Sequence, residues 1–141
     1  MVKNIRGNLD LARVLVVDDD PAARLTLQTV LEAGGYAVDS AATAAEAVGK
    51  LEKKEYELVL SDLQMESPEA GLKVIAHARM MDYKPATALV TTLKTADTQD
   101  AGLPVLVEPE DVPGLLSKVA NLIARRVSKR VAREMRHPGN N

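Results

Sequence analysis

Four carboxylates in this chain stand where apolar runs stop. Asp18, Asp19 and Asp20 follow Arg13–Val17 (RVLVV), and Asp62 follows Leu58-Val-Leu60 after a single serine. A short apolar run that ends on an acid places that acid at the mouth of a buried strand. Carboxylates gathered at one mouth repel one another and hold their own protons unless a cation neutralises them. Magnesium fits: it takes oxygen ligands, keeps several waters, and is usually held by one or two carboxylates together with phosphate oxygens. Acids near a helix start also serve as caps. Capping alone leaves three consecutive aspartates, and the repeat of strand-then-Asp at Asp62, unexplained. Thr91, Thr92 and Glu108 also follow apolar runs, Ala86–Val90 and Val105–Val107.

The elements that must carry these residues alternate. Asp20-Pro21 opens a helix over Ala22–Ala33 that stops at Gly34-Gly35, and a weaker strand spans Tyr36 to about Ser40. Thr43-Ala-Ala-Glu46 is a capping box that opens a helix through about Lys54. The Leu58–Leu60 strand is followed by a loop with Pro68 and Gly71, a helix over Leu72–Met81, and a strand over Ala86–Thr91. Leu93–Gly102 is short and polar for a full helix; Val105–Val107 is a fifth strand, and a long helix covers about Pro113–Met135. Alternating strands and helices predict an α/β domain, a doubly wound five-stranded parallel sheet covered on both faces. Ligands of such sheets bind beyond the carboxyl ends of the strands, where strand order reverses. Asp18, Asp19, Asp62, Thr91 and Glu108 share that edge.

Composition agrees with one ordinary domain: 141 residues, 46% apolar, 27% charged. With no Phe, Trp or Cys and three tyrosines, the core must be aliphatic and free of disulfides. The absence of a signal-length apolar run leads to the expectation of a cytoplasmic protein with no membrane partner. The formal charge of −2 conceals a polarity. Lys118–Arg136 holds seven basic residues against Glu134, a local +6 on a body of about −8.

VLVVDDDP, LVLSDLQM and ALVTT, in this order, resemble the response-regulator receiver domain of two-component signalling over about Arg13–Ile123. The resemblance implies a flavodoxin-like receiver fold. It implies that Asp19 binds magnesium directly, that Asp18 helps through water, and that the Gln64 backbone carbonyl completes the protein ligands. Asp62 would be both a ligand and the phosphoacceptor, receiving its phosphoryl group from a histidine kinase or phosphotransfer protein. Thr91 would be the switch hydroxyl, with Thr92 the neighbouring candidate. The domain would not be an enzyme beyond at most autodephosphorylation.

The chain departs from this pattern on the opposite rim. Receivers end their fifth strand on Lys-Pro, and here the pair is Glu108-Pro109. A unit charge pair at 4 Å is worth ~4 kcal/mol at an effective dielectric of 20, so a carboxylate in place of the ammonium opposes a bound phosphoryl group. Lys94 is a candidate replacement cation, and the retained proline is compatible with a cis Glu108-Pro109 bond. Val105 stands where the switch aromatic is usual, the Thr91–Glu108 interval is short enough to shrink the fourth helix, and Glu66 replaces a common proline.

In the last helix Val119, Ile123, Val127, Val131 and Met135 recur every fourth residue. A domain of this size satisfies its core near Ile123, so the remainder of an extended C-terminal helix either pairs with a second copy or another protein or is a frayed basic tail whose Lys and Arg complement the helix dipole. The basic cluster comes with no DNA-reading motif or stacking aromatic, so nucleic acid is not expected. The organisation expected is an N-terminal extension (1–12), a receiver domain (13–124), and a basic helical extension and tail (125–141). The leading function is a stand-alone receiver in a phosphorelay, signalling through protein contacts. The alternative is a pseudo-receiver that binds without cycling phosphate. A remote alternative, a magnesium-dependent aspartate phosphatase, rests on the Asp-x-Asp within Asp18–Asp20, but Ala22 does not fit it and there is no room for a cap domain.

Overall fold

A computed structural model describes residues 12–62, 65–67, 69–90, 105–107 and 112–136. The strands are β1 (Arg13–Val17), β2 (Ala37–Ala41), β3 (Leu58–Asp62), β4 (Ala86–Val90) and β5 (Val105–Val107). The helices among the described residues are α1 (Pro21–Ala33), α2 (Ala44–Lys53), α3 (Ala70–Met80) and α4 (Val112–Arg136). The strands form one parallel sheet in the order β2-β1-β3-β4-β5, the doubly wound arrangement expected from the alternation.

The apolar runs of β1 and β3, two interior strands of the sheet, follow from burial on both faces. Alternate residues separate cleanly. Val14, Val16, Leu58, Leu60, Ala88 and Val90 face Leu27 and Leu31 of α1 and Leu115 and Val119 of α4. Leu15, Val17 and Val59 face Ala47 and Leu51 of α2, Val74 and Ala78 of α3, and Tyr56. Two aliphatic layers thus clamp the strands from either side, and the strand ends have nowhere to drift.

Local chemistry sets the boundaries. Pro21 is the first residue of α1, where its missing N–H leaves no orphan, and Asp20 caps the helix by accepting from Ala22 N at 3.2 Å. Gly35, at φ +101°, turns the chain out of α1. Gly34 lies so close to α4 that a Cβ would come within 2.9 Å of Leu116 Cδ2. At α2, Glu46 N donates to Thr43 Oγ1 (3.1 Å), while Glu46 Oε1 accepts from Ala42 N (2.8 Å). The capping box is present, with its return bond one residue before the cap.

Several boundaries differ from the sequence reading by a residue or two; α1 starts at Pro21 and β3 runs on to Asp62. β2 runs one residue later, because Tyr36 is held in the turn by donation of its N–H to Leu31 O (3.1 Å) while Ala41 still pairs with Val17. α3 begins two residues earlier. Gly71 weakens local helix propensity, but Ala70 and Gly71 are buried, and tertiary packing overrides that weakness.

Among the described residues, no helix is long and apolar enough to cross a membrane. The termini (1–11 and 137–141), Leu93–Gly102, Gln64, Thr91, Thr92, Lys94 and the Glu108-Pro109 bond lie outside the described residues.

Candidate metal centre

Strand order reverses beside β1: β2 lies on one side of it and β3 on the other. The register pairs Val17 with Ser61, so the next positions lie side by side, Asp18 just past the end of β1 and Asp62 as the last residue of β3. Carboxylate oxygens of Asp18, Asp19 and Asp62 all lie within 4.8 Å of one another. Asp18 is buried, Asp62 partly buried and Asp19 exposed, so the cluster opens to solvent on one side. Sequence reasoning placed these three together, and the fold brings them together.

Asp18 is the most constrained. It is 6% exposed, its N–H donates to Ala41 O (3.1 Å), and its Oδ1 accepts from Asp20 N (2.9 Å). Burial pushes its carboxyl above the ordinary aspartate range. The Asp20 N–H bond and Arg24 oppose that shift, while the charges of Asp19 and Asp20 add to it. A buried carboxylate with two acidic neighbours is the environment in which a hard divalent cation relieves both desolvation and repulsion. The donor set, all carboxylate oxygen with no nitrogen or sulfur, matches magnesium chemistry.

Two partners of the site escaped the sequence reading. Arg24 Nη1 donates to the Asp18 backbone carbonyl at 2.8 Å, pinning the chain where β1 becomes the acidic turn. The signal was available: Arg24 stands four residues after the cap Asp20, on the first turn facing back towards it. Glu66, just beyond the segment that follows Asp62, accepts from Ala44 N at 3.1 Å. An acid at a helix amino end is favoured by the unsatisfied N–H groups and the helix dipole. This contact ties the loop after β3 to α2, a long-range pairing that no local pattern encodes.

On the opposite rim the structure gives register only. Val90, which precedes Thr91, pairs with Asp62 on one side and with Val107, which precedes Glu108, on the other. Val105 begins β5 and pairs with Ala88; its side chain, like Gln64, Thr91, Glu108 and Pro109, falls outside the described residues.

Comparison with known proteins agrees with this architecture. Residues 14–106 match the family described as the response regulator receiver domain. The transcriptional regulatory protein BasR of Escherichia coli (strain K12) is 32% identical over 118 residues, covering 80% of this chain and 53% of BasR. The chain thus spans at most about half the length of the curated relatives it matches first, and 10% of the gliding motility regulatory protein of Myxococcus xanthus. Among solved structures, a CheY-like receiver domain protein from Methanospirillum hungatei JF-1 superposes with a TM-score of 0.73 at 26% identity, covering 85% of this chain and 99% of that one. The response regulator TrrA from Thermotoga maritima, in complex with Mg(2+)-BeF, gives 0.66 at 29% identity, covering 79% and 99%. With the matching family model, the doubly wound sheet and the acidic cluster at its switch point, the chain belongs to the response-regulator receiver domain family of two-component signalling.

Proposed function

We propose that this receiver is a magnesium-dependent phosphoacceptor that takes a phosphoryl group on Asp62 from a histidine kinase or phosphotransfer protein and signals through protein contacts. The convergence of Asp18, Asp19 and Asp62 carries the reading. Asp18, Asp19, Asp62 and the Gln64 carbonyl would hold magnesium, which supplies positive charge opposite the equatorial phosphoryl oxygens.

The chain's own residues do the rest. An Asp62 carboxylate oxygen forms the new O–P bond as the donor's N–P bond breaks, and the electron pair leaves with the imidazole. Burial desolvates Asp18 on the inner side of the cluster while Asp19 stays exposed, and the Arg24 contact to the Asp18 carbonyl fixes the backbone that presents both. Thr91 would offer its hydroxyl to a phosphoryl oxygen. Phosphoryl transfer asks for little more than this positioning and charge compensation.

A second reading, the pseudo-receiver, is favoured by two sequence features: Glu108 in the place of the pocket lysine and Val105 in the place of the switch aromatic. One experiment separates the two. The chain is incubated with magnesium and acetyl phosphate, and intact mass is read for wild type and Asp62→Asn. A single phosphoryl adduct, labile to hydroxylamine and missing from Asp62→Asn, supports the phosphoacceptor. No adduct, together with no magnesium affinity by titration calorimetry, selects the pseudo-receiver.

A further inference from the structure

The exits of the three strands around the acidic cluster are laced together by a circuit of contacts. Asp18 N donates to Ala41 O at the end of β2 (3.1 Å), which sets the acidic turn against the turn that enters α2. Three residues on, Ala44 N, at the first position of α2, donates to Glu66 Oε2 (3.1 Å). Glu66 follows Asp62 by four residues, and the Asp62 carboxylate returns to within 4.8 Å of Asp18. The link that closes this circuit on the α2 side is a single exposed carboxylate.

The segment that Glu66 ends is short and held at both ends. Asp62 is paired with Val90 in the sheet, and Met65 packs on the core layer of Leu15, Val17 and Val59, the layer on which Ala44 also packs. Only Leu63 and Gln64 stand between Asp62 and Met65. The helix, for its part, has caps of its own. Thr43 Oγ1 accepts from Glu46 N (3.1 Å), and Glu46 Oε1 accepts from Ala42 N (2.8 Å). An exposed N–H at a helix start is satisfied equally well by water. A carboxylate brought to it from 22 residues away therefore fixes its own segment more than it stabilises the helix, while the helix amino end offsets its charge.

We propose that Glu66 is a positioning residue for the metal centre: by latching the segment after Asp62 onto α2, it holds Asp62 and the Gln64 carbonyl where magnesium needs them. Magnesium demands near-ideal octahedral geometry, so a ligand that drifts is lost to it. Residues that orient ligands without touching the ion typically account for about ten- to hundredfold in metal affinity. The sequence departure at this position then has a task. A proline shapes its segment by fixing its own backbone; Glu66 does so by a contact across the fold. The proposal rests on the magnesium reading of the acidic cluster.

The test is magnesium titration calorimetry on the full chain as wild type, Glu66→Ala, Glu66→Gln, Thr43→Ala and Asp19→Asn. Glu66→Ala should bind about tenfold more weakly than wild type. Glu66→Gln, which keeps a side-chain oxygen for the Ala44 N–H, should recover most of that loss. Thr43→Ala removes a cap from the same helix end without touching Glu66; it should lower the unfolding midpoint and leave magnesium affinity unchanged. Hydrogen exchange in EDTA gives a readout without metal: Glu66→Ala should speed exchange at the Ala44, Met65 and Glu66 amides and leave Leu58–Leu60 protected. Affinity in Glu66→Ala equal to wild type, an equal loss in Thr43→Ala, no recovery in Glu66→Gln, or unchanged exchange would overturn the latch and leave the metal centre standing. No affinity in wild type, or affinity that Asp19→Asn leaves intact, would bring down the magnesium reading and this proposal with it.

Discussion

Arg126 on the last helix is tied to Glu57, the residue before β3, across 69 positions of sequence. The arginine side chain is 8% exposed and the Glu57 side chain 37%, so the pair straddles the surface, with the guanidinium inside. The same guanidinium serves two backbone carbonyls, one of them on Lys84, which is held at φ +46°. A non-glycine residue costs about 1–2 kcal/mol in that region, and the arginine is one of the contacts that hold it there.

Arg126→Ala should therefore destabilise the domain by about 2–3 kcal/mol, because charge-assisted bonds to three acceptors are lost together. Arg126→Lys should recover less than half of this. A single ammonium cannot reproduce the planar fork that reaches Glu57 and both carbonyls. Urea unfolding of the three proteins checks the order; equal midpoints for wild type and Arg126→Ala would show that the clamp contributes nothing.

Stability at acid pH should depend on a second pair, Tyr56 and Asp39. Tyr56 is buried and its hydroxyl donates to Asp39 Oδ2 at 2.8 Å, with Lys54 Nζ on the same oxygen at 3.3 Å. Partial burial raises the Asp39 carboxyl. The Tyr56 and Lys54 hydrogen bonds, with the Lys54 and Arg13 charges, outweigh it and leave the group below its ordinary value. Burial and the same carboxylate push the Tyr56 phenol well upward, so it remains a donor at neutral pH. A depressed folded-state value stabilises above the unfolded value near 4 and is lost as pH falls through the folded one. Tyr56→Phe should lose about 1.5 kcal/mol at pH 7, and the gap to wild type should narrow below about pH 4. Midpoints of urea unfolding at pH 7, 5 and 3 provide the check; a gap constant with pH would remove Asp39 from the account.

The acidic cluster makes a prediction of the opposite sign. Asp19 is exposed and adds its charge to the buried Asp18 beside Asp62, so in chelator it opposes folding. Asp19→Asn should unfold at a higher temperature than wild type in EDTA. Magnesium at a hundred times its dissociation constant should stabilise wild type by ~2.7 kcal/mol, and the same concentration should do far less for Asp19→Asn. Thermal scans with and without magnesium test both halves. A variant less stable than wild type in EDTA would mean that the carboxylates do not repel in the folded state.

How far the sequence leads differs from element to element. Val14–Val17 and Leu58–Leu60 announce buried strands by being apolar at every position, and Asp18 and Asp62 inherit their place from those strands, so the carboxylate cluster was legible before any coordinates. Helix starts with a named chemistry, Asp20-Pro21 and Thr43–Glu46, were legible for the same reason. Contacts made across the fold were not. Glu66 reaches the amino end of α2, Arg126 reaches Glu57, and neither pairing follows from local spacing. The long basic helix was legible from its periodicity, and the expectation that the core is satisfied near Ile123 holds: Val119 is fully buried and Val127 is exposed.

Glu108 offers the sharpest test of the site's chemistry. It directly follows Val107, which pairs with Val90, itself paired with Asp62, and receivers place a lysine at the equivalent position after their fifth strand. On the proposed phosphoacceptor reading, in which position 108 faces the phosphoryl site as the receiver resemblance implies, Glu108→Lys exchanges a repulsive charge for an attractive one. Even with solvent screening, the change should favour the beryllofluoride-bound or phosphorylated form by more than about 1.4 kcal/mol, a tenfold gain in affinity. Beryllofluoride titrations followed by NMR at fixed magnesium measure that gain directly, with Asp62→Asn as the blank. If Glu108→Lys bound the mimic no better than wild type, Glu108 would not act on the phosphoryl site. If wild type already bound it tightly, another cation of this chain, Lys94 first among them, would have to supply the charge that the fifth strand does not.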